Sequence, residues 1–259
     1  MSSEKIHPPS MSPWKGRVAL VTGASAGIGA AVTRRLLAEG MRVVGCARRV
    51  DRVQEMMKNA DPSGERSLAL AVDLRNLSEI EAMFQVIRDK WGGIDVLINN
   101  AGLGHNAPLL SGDPEHWREM LEVNVLALSV CTKEAVKDMR ERGDNGYIIH
   151  LGSMSGHRVP GGSGIYSATK FAVRSLTEGL RAELRALESN IRVSALSPGF
   201  VETEFAEQYH KSSEKAVETY SRFKVLDVED MANSIVYMLS SPPHMQVHDL
   251  LVRPTQQTS

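Results

Sequence analysis

Tyr166 and Lys170 stand four residues apart in YSATK, heading a run in which Phe171, Leu176, Leu180 and Leu184 recur near helical period. On a helix that spacing sets one side chain above the other, so the phenol and the ammonium are neighbours and a candidate acid–base pair. The same spacing also suits a surface helix on which the two merely touch. A second constellation lies near the other end of the chain. An apolar run passes directly into Thr22-Gly23-Ala-Ser-Ala-Gly27-Ile-Gly29, and a helical pattern follows. A strand, a glycine turn and a helix in that order aim backbone N–H groups and a helix N-terminus at an anion such as a pyrophosphate. Gly23 permits the tight turn, Gly27 lets the backbone approach the phosphates, and Gly29 lets the helix pack close to the strand. The next apolar run ends in Ala47-Arg48-Arg49, where an NAD site would carry an acid for the ribose 2′-hydroxyl. An alanine followed by two guanidiniums fits a 2′-phosphate instead, which points to NADP, with Arg48 the chief candidate.

These residues need a frame to hold them. Apolar runs at 18–22, 43–46, 67–72, 96–99, 147–151, 192–197 and 249–252 alternate with helical patterns near 29–39, 51–59, 78–91, 114–141, 166–187 and 228–239. The runs are continuously apolar, as strands buried on both faces are. The fold class expected is therefore α/β: one Rossmann-type, doubly wound parallel sheet of about seven strands with helices on both faces. Residues 14–259 form the single domain, and 1–13, rich in Ser and Pro, form a flexible leader. A net charge of −1 leaves no basic field for nucleic acid or an acidic membrane. No apolar run is long enough to span a bilayer, and the start has no signal-peptide pattern, so cytoplasm is the expected compartment. Cys46 and Cys131 read as reduced core thiols.

TGASAGIG (22–29), VDL (72–74), NNAG (99–102), EVNV (122–125), LGS (151–153), YSATK (166–170) and SPGFVET (197–203) together resemble the short-chain dehydrogenase/reductase family, in order and across residues 17–253. GCARR (45–49), SMSGHRV (153–159) and the ending LVRPTQQTS (251–259) carry a narrower similarity, to NADP-dependent ketosteroid reductases and insect farnesol dehydrogenases. The resemblance implies a catalytic set of Asn124, Ser153, Tyr166 and Lys170. Tyr166 would protonate a carbonyl oxygen as hydride arrives, and Ser153 would hydrogen-bond that oxygen. Lys170 would hold the nicotinamide ribose, its charge with that of the oxidised nicotinamide would lower the phenol's pKa, and Asn124 would hold a water linking Lys170 to solvent. The substrate would thus meet Ser153 and Tyr166. For NADP(H), the resemblance implies phosphate and ribose contacts from Gly23, Ser25, Ala26, Gly27, Ile28, Gly29, Arg48, Arg49 and Lys170. Asp73 and Leu74 would lie near the adenine, and Asn100, Ala101 and Gly102 along the ribose and nicotinamide. Pro198, Gly199, Val201 and Thr203 would meet the nicotinamide end beside Tyr166. It further implies a homodimer or homotetramer.

The expected activity is hydride transfer between nicotinamide and a carbonyl or alcohol. Residues 200–225, longer than an ordinary connection, carry Phe200, Phe205, Tyr209, Tyr220 and Phe223 and read as a cover over an apolar substrate such as a steroid or isoprenoid alcohol. A reductase of small 3-hydroxy acids or polyols is the alternative, with Arg158 as its polar anchor. A catalytically idle NADPH-binding regulator is a third reading, disfavoured by the intact Tyr–Lys pair. His105 and His157 are possible pocket-lining residues. No histidine or cysteine spacing suits a metal, and none is expected.

Overall fold

The alternation seen in the sequence is reproduced in the computed structural model, which describes residues 9–258. The strands are β1 (Val18–Thr22), β2 (Arg42–Ala47), β3 (Ser67–Ala71), β4 (Val96–Asn99), β5 (Tyr147–Leu151), β6 (Arg192–Pro198) and β7 (Asp249–Val252). They form one parallel sheet in the order β3-β2-β1-β4-β5-β6-β7. Successive residues of each strand face opposite sides. Ala19, Val21, Val43, Ile98 and Ile149 enter one apolar layer, and Leu20, Val44, Leu97 and Ile148 enter the other. Two buried faces account for the absence of alternation in β1, β4 and β5, whereas the edge strands β3 and β7 are only partly buried. The order reverses between β1 and β4, which opens a crevice at the carboxyl ends of the strands.

The helices are α1 (Gly27–Ala38), α2 (Val50–Ala60), α3 (Leu77–Trp91), α4 (Pro114–Leu121), α5 (Leu128–Glu141), α6 (Gly164–Ala186), α7 (Phe205–His210), α8 (Ser213–Ser221) and α9 (Val228–Ser240). Asn76 and Asp113 cap α3 and α4 through their side chains, and Asp227 with Asp230 forms a capping box on α9. The single helix expected over 114–141 is instead two, joined by a π turn over Glu122–Ala127. Residues 200–225, read from the sequence as a cover, contain α7 and α8.

Residues 1–8 of the expected leader lie outside the described residues. The described chain reaches the core earlier than the boundary read at residue 14: Met11 is 8% exposed and packs in the same layer as Trp14. The Trp14 indole donates to the Leu239 carbonyl at 2.7 Å and anchors this segment to the end of α9. Cys46 and Cys131 are both buried and unbridged. Among the described residues, no helix is long and apolar enough to cross a membrane.

Candidate active site

Residues at or just after the ends of β1 to β6 contribute to one cleft of about 1740 Å³ that runs from the glycine turn to Tyr166. β1 delivers Gly23, Ser25, Ala26, Gly27 and Ile28 to its wall, β2 delivers Arg48 and Arg49, and the segment after β3 delivers Asp73 and Leu74. Asn100, Ala101 and Gly102 follow β4, Ser153 follows β5, and Pro198, Gly199, Val201 and Thr203 come at and after the end of β6. Gly29 and Asn124 are not on that wall and act from behind it.

The glycine turn is fixed by steric necessity. Gly23 and Gly27 have φ of 69° and 54°, a region that favours glycine. A Cβ on Gly29 would collide with the Gly23 carbonyl oxygen and lie 2.5 Å from Asn100 Nδ2. Asn100 occupies that space because its amide donates to the Thr22 carbonyl at 2.8 Å. In return, Thr22 Oγ1 accepts from the N–H groups of Asn100 and Ala101, at 3.1 and 3.0 Å. The tips of β1 and β4 are thereby tied across the crevice. No side chain caps the N-terminus of α1, so its first N–H groups have no partner from a capping residue.

Along β2, Ala47 is buried, while the Arg48 side chain is exposed and has no hydrogen bond or ion pair among the described residues. Its charge helps to hold the Asp73 carboxyl below the usual carboxylate range, after the larger effect of hydrogen bonds from Arg75. Arg49 differs from its neighbour. Its guanidinium donates to Glu204 at 2.8 Å, and Arg52 donates to the other oxygen of that carboxylate at 2.7 Å.

Tyr166 and Lys170 lie in the first two turns of α6, with the ammonium 5.9 Å from the centre of the phenol ring. Lys170 is 6% exposed and donates to the Leu151 carbonyl at the end of β5, at 2.9 Å. Burial pushes its pKa down to about 8. Ser153 begins a short turn after β5, and its Oγ accepts from Ser155 N–H at 3.0 Å. The expected lowering of the tyrosine pKa is a joint effect of this cation and the charge of an oxidised nicotinamide. In this structure burial dominates and raises it to about 12, the Ser153 hydroxyl pulling down and Tyr209 pushing further up. The phenol is therefore protonated at neutral pH, the state needed by a proton donor.

Asn124 sits in the π turn, 1% exposed. Its Nδ2 donates to the Leu103 carbonyl at 2.8 Å and to Thr169 Oγ1 at 3.0 Å, while Oδ1 accepts from Leu103 N–H at 2.9 Å. Both amide donors are thus engaged, and the side chain clamps the loop after NNAG rather than presenting a free amide to the cleft.

The cover rests on the tyrosine. Phe205 and Tyr209 stack at 6.0 Å between ring centres, and they lie 5.5 and 6.2 Å from the Tyr166 ring. Gly104 completes this nest, since a Cβ there would come within 2.7 Å of Phe205 and 2.9 Å of Tyr209. Phe200, Tyr220 and Phe223 also line the cleft. Of the two histidines considered, His105 reaches the wall and pairs with Glu119 at 2.9 Å. His157 turns away, to Asp249 at 3.0 Å and Ser197 at 3.3 Å. Two features escape a reading of motifs. Gln256, Gln257 and Thr258 join the wall, with Gln257 Oε1 accepting from Phe200 N–H at 3.1 Å. Glu204, between a motif residue and an aromatic, had no local signal.

The short chain dehydrogenase family model matches residues 17–214. The chain belongs to that oxidoreductase family. It is 51% identical over 255 residues to dehydrogenase/reductase SDR family member 11 of Gallus gallus, covering 96% of this chain and 100% of the relative. It is 41% identical over 249 residues to the farnesol dehydrogenase of Aedes aegypti, covering 94% and 98%. Among solved structures, a closed form of serine dehydrogenase complexed with NADP+ superposes with a TM-score of 0.88 at 33% identity, covering 93% of this chain and 96% of that one. The resemblance read from the motifs is thus shown at the level of the family, and the doubly wound fold with it.

Proposed function

We propose that this chain is an NADP(H)-dependent reductase of carbonyls, and dehydrogenase of the corresponding alcohols, acting on an apolar substrate. The observation that carries the reading is one continuous cleft with an uncapped helix N-terminus and an unpaired Arg48 at one end and Ser153 and Tyr166 at the other. The cofactor fits this cleft on three counts. The turn at Gly23 and Gly27 leaves its backbone bare, α1 offers N–H groups for a pyrophosphate, and Arg48 is available for a 2′-phosphate beside an alanine that exerts no repulsion. The serine dehydrogenase neighbour with NADP+ supports the same choice.

When bound, the cofactor supplies or accepts the hydride. The chain's own residues do the rest. Tyr166, protonated at neutral pH, donates a proton to the substrate oxygen in the reducing direction. Ser153 hydrogen-bonds the same oxygen and stabilises the charge that develops there. Lys170 would hold the nicotinamide ribose, and Asn124 fixes the Leu103 loop that borders the site. Phe200, Phe205, Tyr209 and Phe223 give the substrate end an apolar lining that suits a steroid or isoprenoid alcohol, and the farnesol dehydrogenase relative supports the isoprenoid. Leu121 and Leu126 in the α4–π segment, with Phe171 and Leu176 on α6, are exposed, which supports the homo-oligomer expected from the family.

A second reading has its own observation. Arg158 lines the cleft, and its Nη2 is buried without a hydrogen-bond partner, as an anchor for the carboxylate of a small hydroxy acid would be. NADPH oxidation with farnesal, a ketosteroid, a diketone and a 3-keto acid separates the two. The expected result is turnover on the apolar carbonyls that falls by about 10²–10⁴-fold in Tyr166→Phe, with NADPH affinity unchanged. Turnover confined to the keto acid and lost in Arg158→Ala would establish the second reading instead.

A further inference from the structure

The Arg49–Glu204–Arg52 bridge joins two parts of the cleft that otherwise have separate jobs. Arg49 immediately precedes α2 and follows Arg48 at the tip of β2, the side assigned above to the 2′-phosphate. Glu204 lies between Thr203 and Phe205 at the entry to α7. Thr203 packs on the glycine turn, its methyl 3.1 Å from the position of a Cβ on Gly27. Phe205 packs on the catalytic tyrosine, 5.5 Å between ring centres. One carboxylate therefore ties the head of the cover to the phosphate side of the site.

The tie is strong enough to set a position and weak enough to break. The side chains of Glu204, Arg49 and Arg52 are 41%, 47% and 53% exposed. Exposed pairs of this kind contribute little, because water screens them and holding long side chains costs entropy. A phosphate dianion offers Arg49 more charge and more acceptor oxygens than a carboxylate does. Its arrival also sets like charges side by side at Glu204.

We propose that Glu204 discriminates between the two nicotinamide cofactors: its carboxylate occupies Arg49 and Arg52 until a 2′-phosphate displaces it, and the displacement frees the head of α7 above Tyr166. The inference rests on the NADP(H) reading. It adds that the cover distinguishes NADP(H) from NAD(H), although the two cofactors are identical at the nicotinamide beneath it.

Binding titrations and hydrogen exchange test this on the full-length protein. Glu204→Gln, which keeps the size of the side chain, is expected to tighten NADPH by about 3- to 10-fold, the scale of two exposed ion pairs. NADH affinity is expected to stay within about 2-fold, because no phosphate competes for the bridge. In the wild type, amides of 204–208 should exchange faster with saturating NADPH than with saturating NADH, and Glu204→Gln should abolish that difference. Equal exchange with both cofactors in the wild type overturns the proposal, as does weaker NADPH binding by Glu204→Gln, which would make the carboxylate an aid to the arginines. If wild-type NADPH affinity exceeds that for NADH while α7 is insensitive, only this proposal falls. If the wild type has no preference for NADPH, the cofactor reading falls and takes the proposal with it.

Discussion

Replacing Lys170 by methionine separates its cost to the fold from its value to the reaction. The ammonium is buried, and its pKa falls from 10.5 to about 8 through desolvation. At about 1.4 kcal/mol per pH unit, that difference means that burying the charged form costs about 3 kcal/mol. The sign follows from proton counts. Between about 8 and 10.5 the unfolded chain binds the lysine proton and the folded chain does not, so wild-type stability rises with pH across that window. Below 8 both states are protonated and the full cost is present. Methionine removes the charge but leaves the Leu151 carbonyl without the donor now 2.9 Å away, a loss of about 1–3 kcal/mol that offsets most of the gain at pH 7. The informative quantity is therefore the pH dependence of the difference. Urea unfolding of wild type and Lys170→Met from pH 7 to 10.5 should show the wild type gaining about 3 kcal/mol on the variant, while turnover by the variant is lost. A difference that stays constant within about 0.5 kcal/mol would refute the assignment of a buried, strained ammonium.

Three further outcomes are expected. Arg48→Ala should weaken NADPH by about 10- to 150-fold with little effect on NADH, and Ala47→Asp should move the ratio of kcat/KM values toward NADH; an unmoved ratio would locate the 2′-phosphate elsewhere. Gly29→Ala forces a methyl against the Gly23 carbonyl and the Asn100 amide, so thermal unfolding should show a loss of about 1–3 kcal/mol and NADPH should no longer raise Tm as it does in the wild type. Trp14→Ala empties a buried site and orphans the Leu239 carbonyl, so denaturant unfolding should show a loss of about 3–5 kcal/mol, whereas a loss below about 1 would mean that the segment is only loosely attached.

The parts of this fold legible in the sequence are those set by local pattern. β1, β4 and β5 are buried on both faces and begin and end at the residues where their apolar runs do, and the half-buried β7 keeps the bounds of its run as well. Glycine spacing and the Tyr166–Lys170 interval are likewise local, and the cleft assembles them because each follows a strand tip or heads a helix. What was not legible depends on distant partners. Glu204 meets Arg49 and Arg52 across 155 and 152 residues, and Gln257 meets Phe200 across 57. The rise in the Tyr166 pKa comes from burial beneath Phe205 and Tyr209, which no motif encodes. Met11 reads as part of a Ser- and Pro-rich leader because nothing local marks it as buried, and it joins the core layer of Trp14, whose indole reaches Leu239 across 225 residues.

The π turn between α4 and α5 makes the number of residues in this stretch a matter of phase. Hydrogen bonds from i to i+5 take up one residue more than an α-helical turn, so α5 is rotated by about 100° from the course α4 would have set. The two helices use that rotation, α4 packing against α6 and α5 against α3 and β4. Deleting one residue within Glu122–Ala127 would let the backbone close into a regular helix with its hydrogen bonds intact, yet one of the two packed faces would swing out of place. Local helix geometry favours such a deletion and tertiary packing opposes it. This stretch of chain is therefore one where a loss of length is harder to absorb than most changes of residue.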